Sequence, residues 1–284
     1  MPRRLPPSGS SSGRSRPLAL SPETLRRQAL FQRLSTRYGE LLEQYARMRD
    51  HEGKALQAKY LGLFGQREYR LYLLQVECLR MRRKISLLQA AVNRGDPPRP
   101  QEAEAILEKE FALYQKELQQ RWEELAKAEA LLHSPTLTEE ESAEFRTLYR
   151  TLAKKLHPDL HPHLPEEAAA LWNRIQEAYR NGDLPALRLL GEYTDYLLEN
   201  TPRQEEPPPL PSAWEARINS LKGKMRKLEE AMETLSQRPP LSYRPLLEDQ
   251  ERCRERQQEL DTLVQQQENL KAELTAYLRR FLEE

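Results

Sequence analysis

Apolar residues recur at alternating spacings of four and three over most of this 284-residue chain. That spacing places one apolar stripe along a helix, as in the seam of a coiled coil, and signals for β-strands are almost absent. Charged residues make up 31% of the chain and hydrophobic residues 38%, which suits long helices that each bury only a stripe. The pattern therefore predicts an all-α fold. The five stripes run over 34–48, 60–92, 107–132, 214–235 and 260–281.

Capping and turn residues divide the stripes into separate helices. Ser21 and Pro22 are suited to open the first helix as its N-cap and first residue. The apolar period changes phase near Gly53, which marks either a turn or only a weak point of a helix. The stretch "NRGDPPRP" ends the second stripe, and Thr138 with Glu141 three residues later forms a capping box that opens a new helix.

Composition and periodicity predict five regions along the chain. Residues 1–20, rich in Ser, Gly, Pro and Arg, are predicted to be a disordered tail, and 201–212 a proline-rich linker. Residues 21–134 are predicted to form a helical coiled-coil region, and 213–284 a C-terminal helical hairpin closed by a proline turn. Antiparallel coiled-coil hairpins would then flank a central module at 135–200. A homodimer through the same stripes is the alternative, and the pattern does not decide between them.

The central region contains two amphipathic helices with a short loop between them. Both carry an apolar face, so the two helices should pair antiparallel. Pro158 cannot continue the first helix and also moves His157 out of the helical region. We therefore expect His157 and Asp159 together at an exposed tip. Another face of the first helix is basic and consists of Arg146, Arg150 and Lys154, with Lys155 beside them.

The segments "LYRTLAKKLHPDL" and "LWNRIQEAY", on either side of this loop, resemble the J-domain. This is the module through which DnaJ-type co-chaperones dock on DnaK-type chaperone ATPases, and the resemblance covers roughly residues 136–182. It implies that His157, Pro158 and Asp159 couple docking to ATP hydrolysis in the partner. It implies a positive face that meets acidic patches of the chaperone. This face consists of Arg146, Arg150, Lys154 and Lys155. It implies a core formed by Tyr149, Leu152, Trp172, Ile175 and Tyr179.

The chain departs from the family pattern in three respects. The short first helix with a Tyr-x-x-Leu-Gly pattern is missing, and the end of the helix at 107–132 could pack in its place. A further helix opens at Asp183 and runs to about Glu199, where the family usually has a loop. There is neither a glycine/phenylalanine-rich region nor a repeated Cys-x-x-Cys module. The chain thus resembles a divergent J-like domain embedded in a coiled-coil protein of bacterial type.

Other functions lack the residues that they need. His157, His161 and His163 come without the cysteines or the Glu-x-x-His pair of a zinc site, so neither a metal nor another cofactor is predicted. A His-x-Asp pair without a nucleophile motif or glycine-rich phosphate loop does not predict an enzyme. A net charge of +1 predicts no nucleic-acid partner, and no apolar run approaches the length of a transmembrane helix. The two cysteines lie in helical patterns, which fits a reducing cytoplasm.

Two functions are consistent with these features. The first is a co-chaperone that docks on a DnaK-type ATPase and stimulates it, while its coiled-coil arms bind a client or scaffold protein. The alternative is a structural coiled-coil adaptor with a degenerate, non-stimulating J-like module. Docking needs the tip at His157 and Asp159, and the face at Arg150 and Lys154, to be free of the flanking arms.

Overall fold

The computed structural model describes residues 21–134, 136–162, 164–200 and 211–283. These residues form helices and turns without a β-strand, so the predicted all-α fold is confirmed for them. The expected tail at 1–20 and most of the expected linker at 201–212 lie outside the described residues, as does His163. Within the described ranges no helix is long and apolar enough to cross a membrane.

One continuous helix from Pro22 to Asn93 forms the spine of the molecule. It comprises α1 (Pro22–Arg47), α2 (Gly53–Tyr60) and α3 (Gln66–Asn93), joined by π-helical turns at Met48–Glu52 and Leu61–Gly65. Gly53 has φ −59° and ψ −47°, so the helix continues through it and the change of phase near it is not a turn. A π-helical turn holds an extra residue, which rotates the apolar stripe about the axis while the helix continues. The stripe therefore faces different partners along the spine.

The spine is covered on one side by a pair of helices that return along it. Residues Pro100–Glu110 form α4 and Ala112–Leu132 form α5, and both lie antiparallel to the spine. The approach is close at Gly65, where an added Cβ would lie 2.3 Å from Cδ2 of Leu125. Side-chain pairs mark the antiparallel register: Arg83 with Glu110, and Tyr72 with Glu117.

The two C-terminal helices lie one after the other along the spine. Pro211–Ser236 forms α9, which packs beside α1, and Gln250–Glu283 forms α11, which packs beside α3. Both run parallel to the spine. Three hydrogen-bonded pairs, each 194 residues apart in sequence, mark the register of α11: Arg67 with Asp261, Glu77 with Lys271, and Met81 with Thr275.

This arrangement differs from the C-terminal helical hairpin expected over 213–284. The connector contains a 3₁₀ turn (Leu241–Tyr243) and α10 (Arg244–Leu247), which pass α2, between the two π-helical turns of the spine. The chain is thereby carried forward and does not reverse. The stripes of α9 and α11 pack against the two halves of the spine, because each half offers an apolar stripe of its own.

The central module consists of α6 (Glu139–Leu156), α7 (Glu166–Asn181) and α8 (Leu184–Asn200). The predicted capping box is present at the start of α6, since the Thr138 hydroxyl and the Glu141 carboxylate each accept the other residue's backbone N–H. The module has its own apolar core. The five residues expected to form that core are all buried in it: Tyr149, Leu152, Trp172, Ile175 and Tyr179.

The helix that packs against α6 and α7 from outside the module is α1. Ala46 of α1 lies in the module's core and Leu42 packs against it. The end of the 107–132 helix, which could have filled this place, contributes no buried residue to that core. Instead, Leu125 and Leu132 of α5 lie against Gly65 and Gly62 of the spine, which holds α5 there.

Candidate functional site: the loop between α6 and α7

The loop after α6 is a hydrogen-bonded turn. His157 adopts an extended backbone with φ −65° and ψ 128°, as its position before Pro158 requires. Its carbonyl accepts the backbone N–H of Leu160 and of His161, both at 3.0 Å, and its Nδ1 accepts the N–H of Asp159 at 3.1 Å. These bonds give the loop a defined shape without any partner.

His161 binds the loop to the end of α6, which its position in the sequence does not indicate. Its Nε2 lies 2.8 Å from the carbonyl oxygen of Lys154, so the ring N–H donates to a free carbonyl in the last turn of α6. His161 therefore caps the helix that leads into the loop. A side chain that reaches back seven residues leaves no periodic signal in the sequence.

His157 is wedged between two aromatic rings. Its ring lies edge-on to Trp172 of α7 at 5.2 Å and to Tyr38 of α1 at 5.5 Å between centroids. The side chain is only 13% exposed. This burial lowers the pKa of His157, because it disfavours the charged ring. His157 is therefore neutral near pH 7, with its proton on Nε2, since Nδ1 accepts from Asp159.

The carboxylate of Asp159 is held from two directions. Its Oδ2 accepts the Tyr38 hydroxyl at 2.6 Å, and its Oδ1 accepts the ammonium of Lys224, in α9, at 2.8 Å. Partial burial alone would raise the pKa of Asp159, but the hydrogen bonds from Lys224 and Tyr38 outweigh it and hold the pKa below its usual value. Asp159 is therefore an ionised group bound by both α1 and α9.

An apolar contact accompanies this polar one. Leu160 is buried in a small cluster with Tyr38 of α1 and Leu221 of α9. Tyr38, Leu221 and Lys224 together form what we call the loop clamp. The clamp fixes the loop to α1 and α9. Leu160 lies in the seam between these two helices, and the Asp159 carboxylate lies at the edge of that seam.

The tip is therefore less exposed than the sequence suggested. Pro158 and Asp159 are exposed residues, as expected, but the Asp159 side chain is only 34% exposed and His157 is largely covered. The reason is Leu160: its burial between α1 and α9 brings the neighbouring residues onto these helices. The sequence left open whether the flanking arms cover the loop, because the residues that supply these contacts lie 121 and 65 positions away.

The four basic residues of α6 do not form one uniform face. Lys154 is exposed, whereas Arg146 and Arg150 are half-buried. The backbone of α1 passes close to Arg150, since a Cβ added at Gly39 would lie 3.5 Å from the Arg150 carbonyl oxygen. Lys155 forms an ion pair with Asp195 of α8. The extra helix α8 and the spine thus each occupy one flank of the basic stripe.

The module is joined to the spine by a buried polar contact that the sequence analysis did not find. The Tyr179 hydroxyl donates to Oε1 of Glu43 at 3.0 Å, and both residues are buried. His51 packs edge-on to Tyr179 at 5.0 Å and to Phe145 at 5.8 Å. Burial lowers the pKa of His51 and raises the pKa of Tyr179. Glu43 lies off the apolar stripe at 34–48, so its burial left no signal in the sequence.

Within the described residues, no three His, Cys, Asp or Glu side chains are grouped so that they could hold a metal ion. Comparisons with protein-family models, curated proteins and solved structures found no match for this chain. The function is therefore argued from the residues and geometry of this loop.

Proposed function

We propose that the chain is a non-enzymatic co-chaperone of J-domain type. The unit of α6, the loop and α7 docks on a DnaK-type chaperone ATPase and stimulates its ATP hydrolysis. The observation that carries the proposal is the position of His157, Pro158 and Asp159 at the turn of an antiparallel helix pair, with Trp172 beneath the His157 ring. The spine and its partner helices bind a client or scaffold protein, and the chain works in the cytoplasm.

The chemistry of the loop suits recognition of a protein surface. Asp159 offers an ionised carboxylate that can accept from a cationic side chain, and such charge-assisted hydrogen bonds are roughly twice as strong as neutral ones. Pro158 is exposed, and Lys154 one turn earlier is exposed as well. The hydrogen-bonded turn keeps these groups in fixed positions, so little conformational entropy is lost when a partner docks.

Single-turnover ATP hydrolysis by a DnaK-type chaperone tests this proposal. We expect the wild-type chain to raise the hydrolysis rate and His157→Gln to abolish the increase. His133→Gln is the matched control, because His133 is exposed at the end of α5, far along the chain from the loop. The proposal is contradicted if the wild type gives no stimulation, or if His157→Gln stimulates as well as the wild type.

A second function is favoured by a specific observation. Both oxygens of Asp159 already have partners in the chain, and Leu160 is buried between α1 and α9. These contacts suit a structural adaptor in which the loop only joins the helices. The adaptor predicts binding partners that do not change with Asp159→Asn and that include no chaperone. Affinity capture with the wild type and Asp159→Asn separates the two functions.

A further inference from the structure

We infer that the loop clamp of Tyr38, Leu221 and Lys224 is an autoinhibitory contact, which holds the α6–α7 loop closed until α9 moves away from it. The inference rests on the proposed docking function and adds its regulation. In the closed state the Asp159 carboxylate, which a chaperone would bind, already accepts hydrogen bonds from Tyr38 and Lys224 of the same chain.

The contact competes directly with a docking partner. Lys224 neutralises the charge of Asp159 at 2.8 Å, where a cation of the partner would otherwise bind. Tyr38 holds the second carboxylate oxygen and also covers one edge of the His157 ring. A partner that needs both His157 and Asp159 must therefore displace Tyr38 or Lys224 before it can reach them.

The rest of the module does not depend on α9. Its core is built from buried residues of α1, α6, α7 and α8, and no buried residue of α9 belongs to it. If α9 moved, that core would keep all its members. The contacts of α9 with the module lie at the loop, through Lys224 to Asp159 and Leu221 to Leu160. Movement of α9 would therefore release Asp159 from Lys224 and Leu160 from Leu221, leave Tyr38 as the one clamp residue at the loop, and keep the module folded.

The packing of α9 suits a helix that can leave. Trp214, Ile218 and Leu221 in its first half are buried, whereas the later stripe residues, from Met225 to Leu235, are only half-buried. The indole N–H of Trp214 is buried without a hydrogen-bond acceptor in the described part of the chain. A buried donor without a partner makes the closed state less stable than it would otherwise be. The unpartnered indole N–H of Trp214 thus reduces the stability that the closed state gains from the packing of α9.

The consequence for docking is a reduced apparent affinity. When only a fraction of molecules has an open loop, the apparent Kd rises by the inverse of that fraction. Removing the two polar contacts should increase the open fraction. When these contacts are removed from a chain of which only a fraction of molecules has an open loop, we expect stimulation at limiting concentrations of the chain to increase by about threefold to thirtyfold.

The test uses the full chain with the substitutions Tyr38→Phe and Lys224→Gln together. Phe keeps the ring of Tyr38 and lacks the hydroxyl that donates to Asp159, and Gln is shorter than Lys224 and lacks the charge of the ion pair. The matched control is Tyr45→Phe with Lys227→Gln, which makes the same chemical changes on the same two helices, away from Asp159. Thermal unfolding shows whether each variant folds, and Lys224→Gln alone replaces the pair if the pair does not.

Two readouts are measured on each variant. Amide hydrogen exchange over 157–162 reports whether the loop opens, and single-turnover hydrolysis by a DnaK-type chaperone reports docking. We expect faster exchange and greater stimulation from the Tyr38/Lys224 variant alone, with the extra stimulation lost when His157→Gln is added. Unchanged exchange overturns the inference, since the clamp would then not hold the loop.

The two readouts also separate this inference from the proposed function. If exchange becomes faster while the wild type and the variant stimulate equally, docking stands and autoinhibition is wrong. If exchange becomes faster and neither protein stimulates, the proposed docking function is itself wrong, and the inference falls with it.

Discussion

The hydroxyl of Tyr38 lies 2.6 Å from Oδ2 of Asp159, which is 121 residues further along the chain. This hydrogen bond joins the spine to the loop on which the proposed function depends. Because Tyr38 also lies in the seam between α1 and α9, one side chain links helix packing to the state of the loop. Changes in the packing of α1 against α9 should therefore alter the hydrogen bonding of Asp159.

Leu160 should contribute more to stability than a loop position usually does. Leu160→Ala removes a buried side chain from the α1–α9 seam, and buried Leu→Ala changes typically cost about 2–5 kcal/mol. We predict a clear drop in the denaturant midpoint of unfolding. Leu189→Ala is the control, because Leu189 is 67% exposed on α8 and should change the midpoint little. Equal effects of the two changes would contradict the position given to Leu160.

The buried pair of Tyr179 and Glu43 gives a second stability prediction. Tyr179→Phe leaves the buried Glu43 carboxylate without its hydrogen-bond donor, with the Arg47 guanidinium 4.0 Å away, which should cost roughly 1–3 kcal/mol. Tyr193→Phe makes the same change on the exposed face of α8 and should be close to neutral. Thermal unfolding of both variants tests this, and a neutral Tyr179→Phe would contradict a stabilising role of the hydrogen bond.

Stability should fall as the solution becomes mildly acidic. Burial lowers the pKa of His51 and of His157 below 6.5, so both rings stay neutral in the folded chain when the unfolded chain takes up protons. The unfolded state then binds more protons, and stability is lost as the pH falls below about 6.5. Melting temperatures between pH 7.5 and 5.5 should show this decrease.

Variants identify the histidines responsible for this pH dependence. His157→Gln should make the decrease smaller, because it removes one of the two buried rings whose pKa is lowered. A melting temperature that stays level or rises over this range would contradict the neutral, buried state of the two rings.

Close helix packing at Gly65 gives a fourth prediction. An added Cβ would lie 2.3 Å from Leu125 and 3.2 Å from Leu61, so Gly65→Ala forces α5 or these side chains to move. Overpacking of this kind costs about 1–3 kcal/mol, which offsets the roughly 1 kcal/mol that Ala gains over Gly in a helix, so no net stabilisation is expected. At Gly223 in α9 an added Cβ has no neighbour within 4 Å, so Gly223→Ala should stabilise the helix slightly. Unfolding midpoints that rise equally in both variants would contradict the packing of α5 on the spine.

The sequence predicted the features that depend on near neighbours. Ser21 and Thr138 cap their helices because each side chain reaches a backbone N–H three residues on. Pro158 ends α6, and the apolar faces of α6 and α7 are those that are buried. In each of these cases the physical cause lies within a few residues of its effect.

Features that depend on register between distant stripes could not be predicted in this way. All five stripes share one period, so the sequence does not say that α11 pairs with α3 at a separation of 194 residues. For the same reason Lys224 gave no sign that it reaches Asp159. The π-helical turns could not be predicted either, because a change of phase in the apolar period results from either a turn or an extra residue within a helix.

Equilibrium binding of the full chain to a DnaK-type chaperone in its ATP-bound state tests the central claim most directly. The wild type is compared with Asp159→Asn and with Asp261→Asn, whose carboxylate also accepts from a cation, Arg67, but lies on the α3–α11 pair. We predict that Asp159→Asn weakens binding by about tenfold or more, since a charge-assisted hydrogen bond to the partner is lost. Asp261→Asn should bind like the wild type. Equal affinity of all three proteins, or no binding by any of them, would contradict docking through this loop.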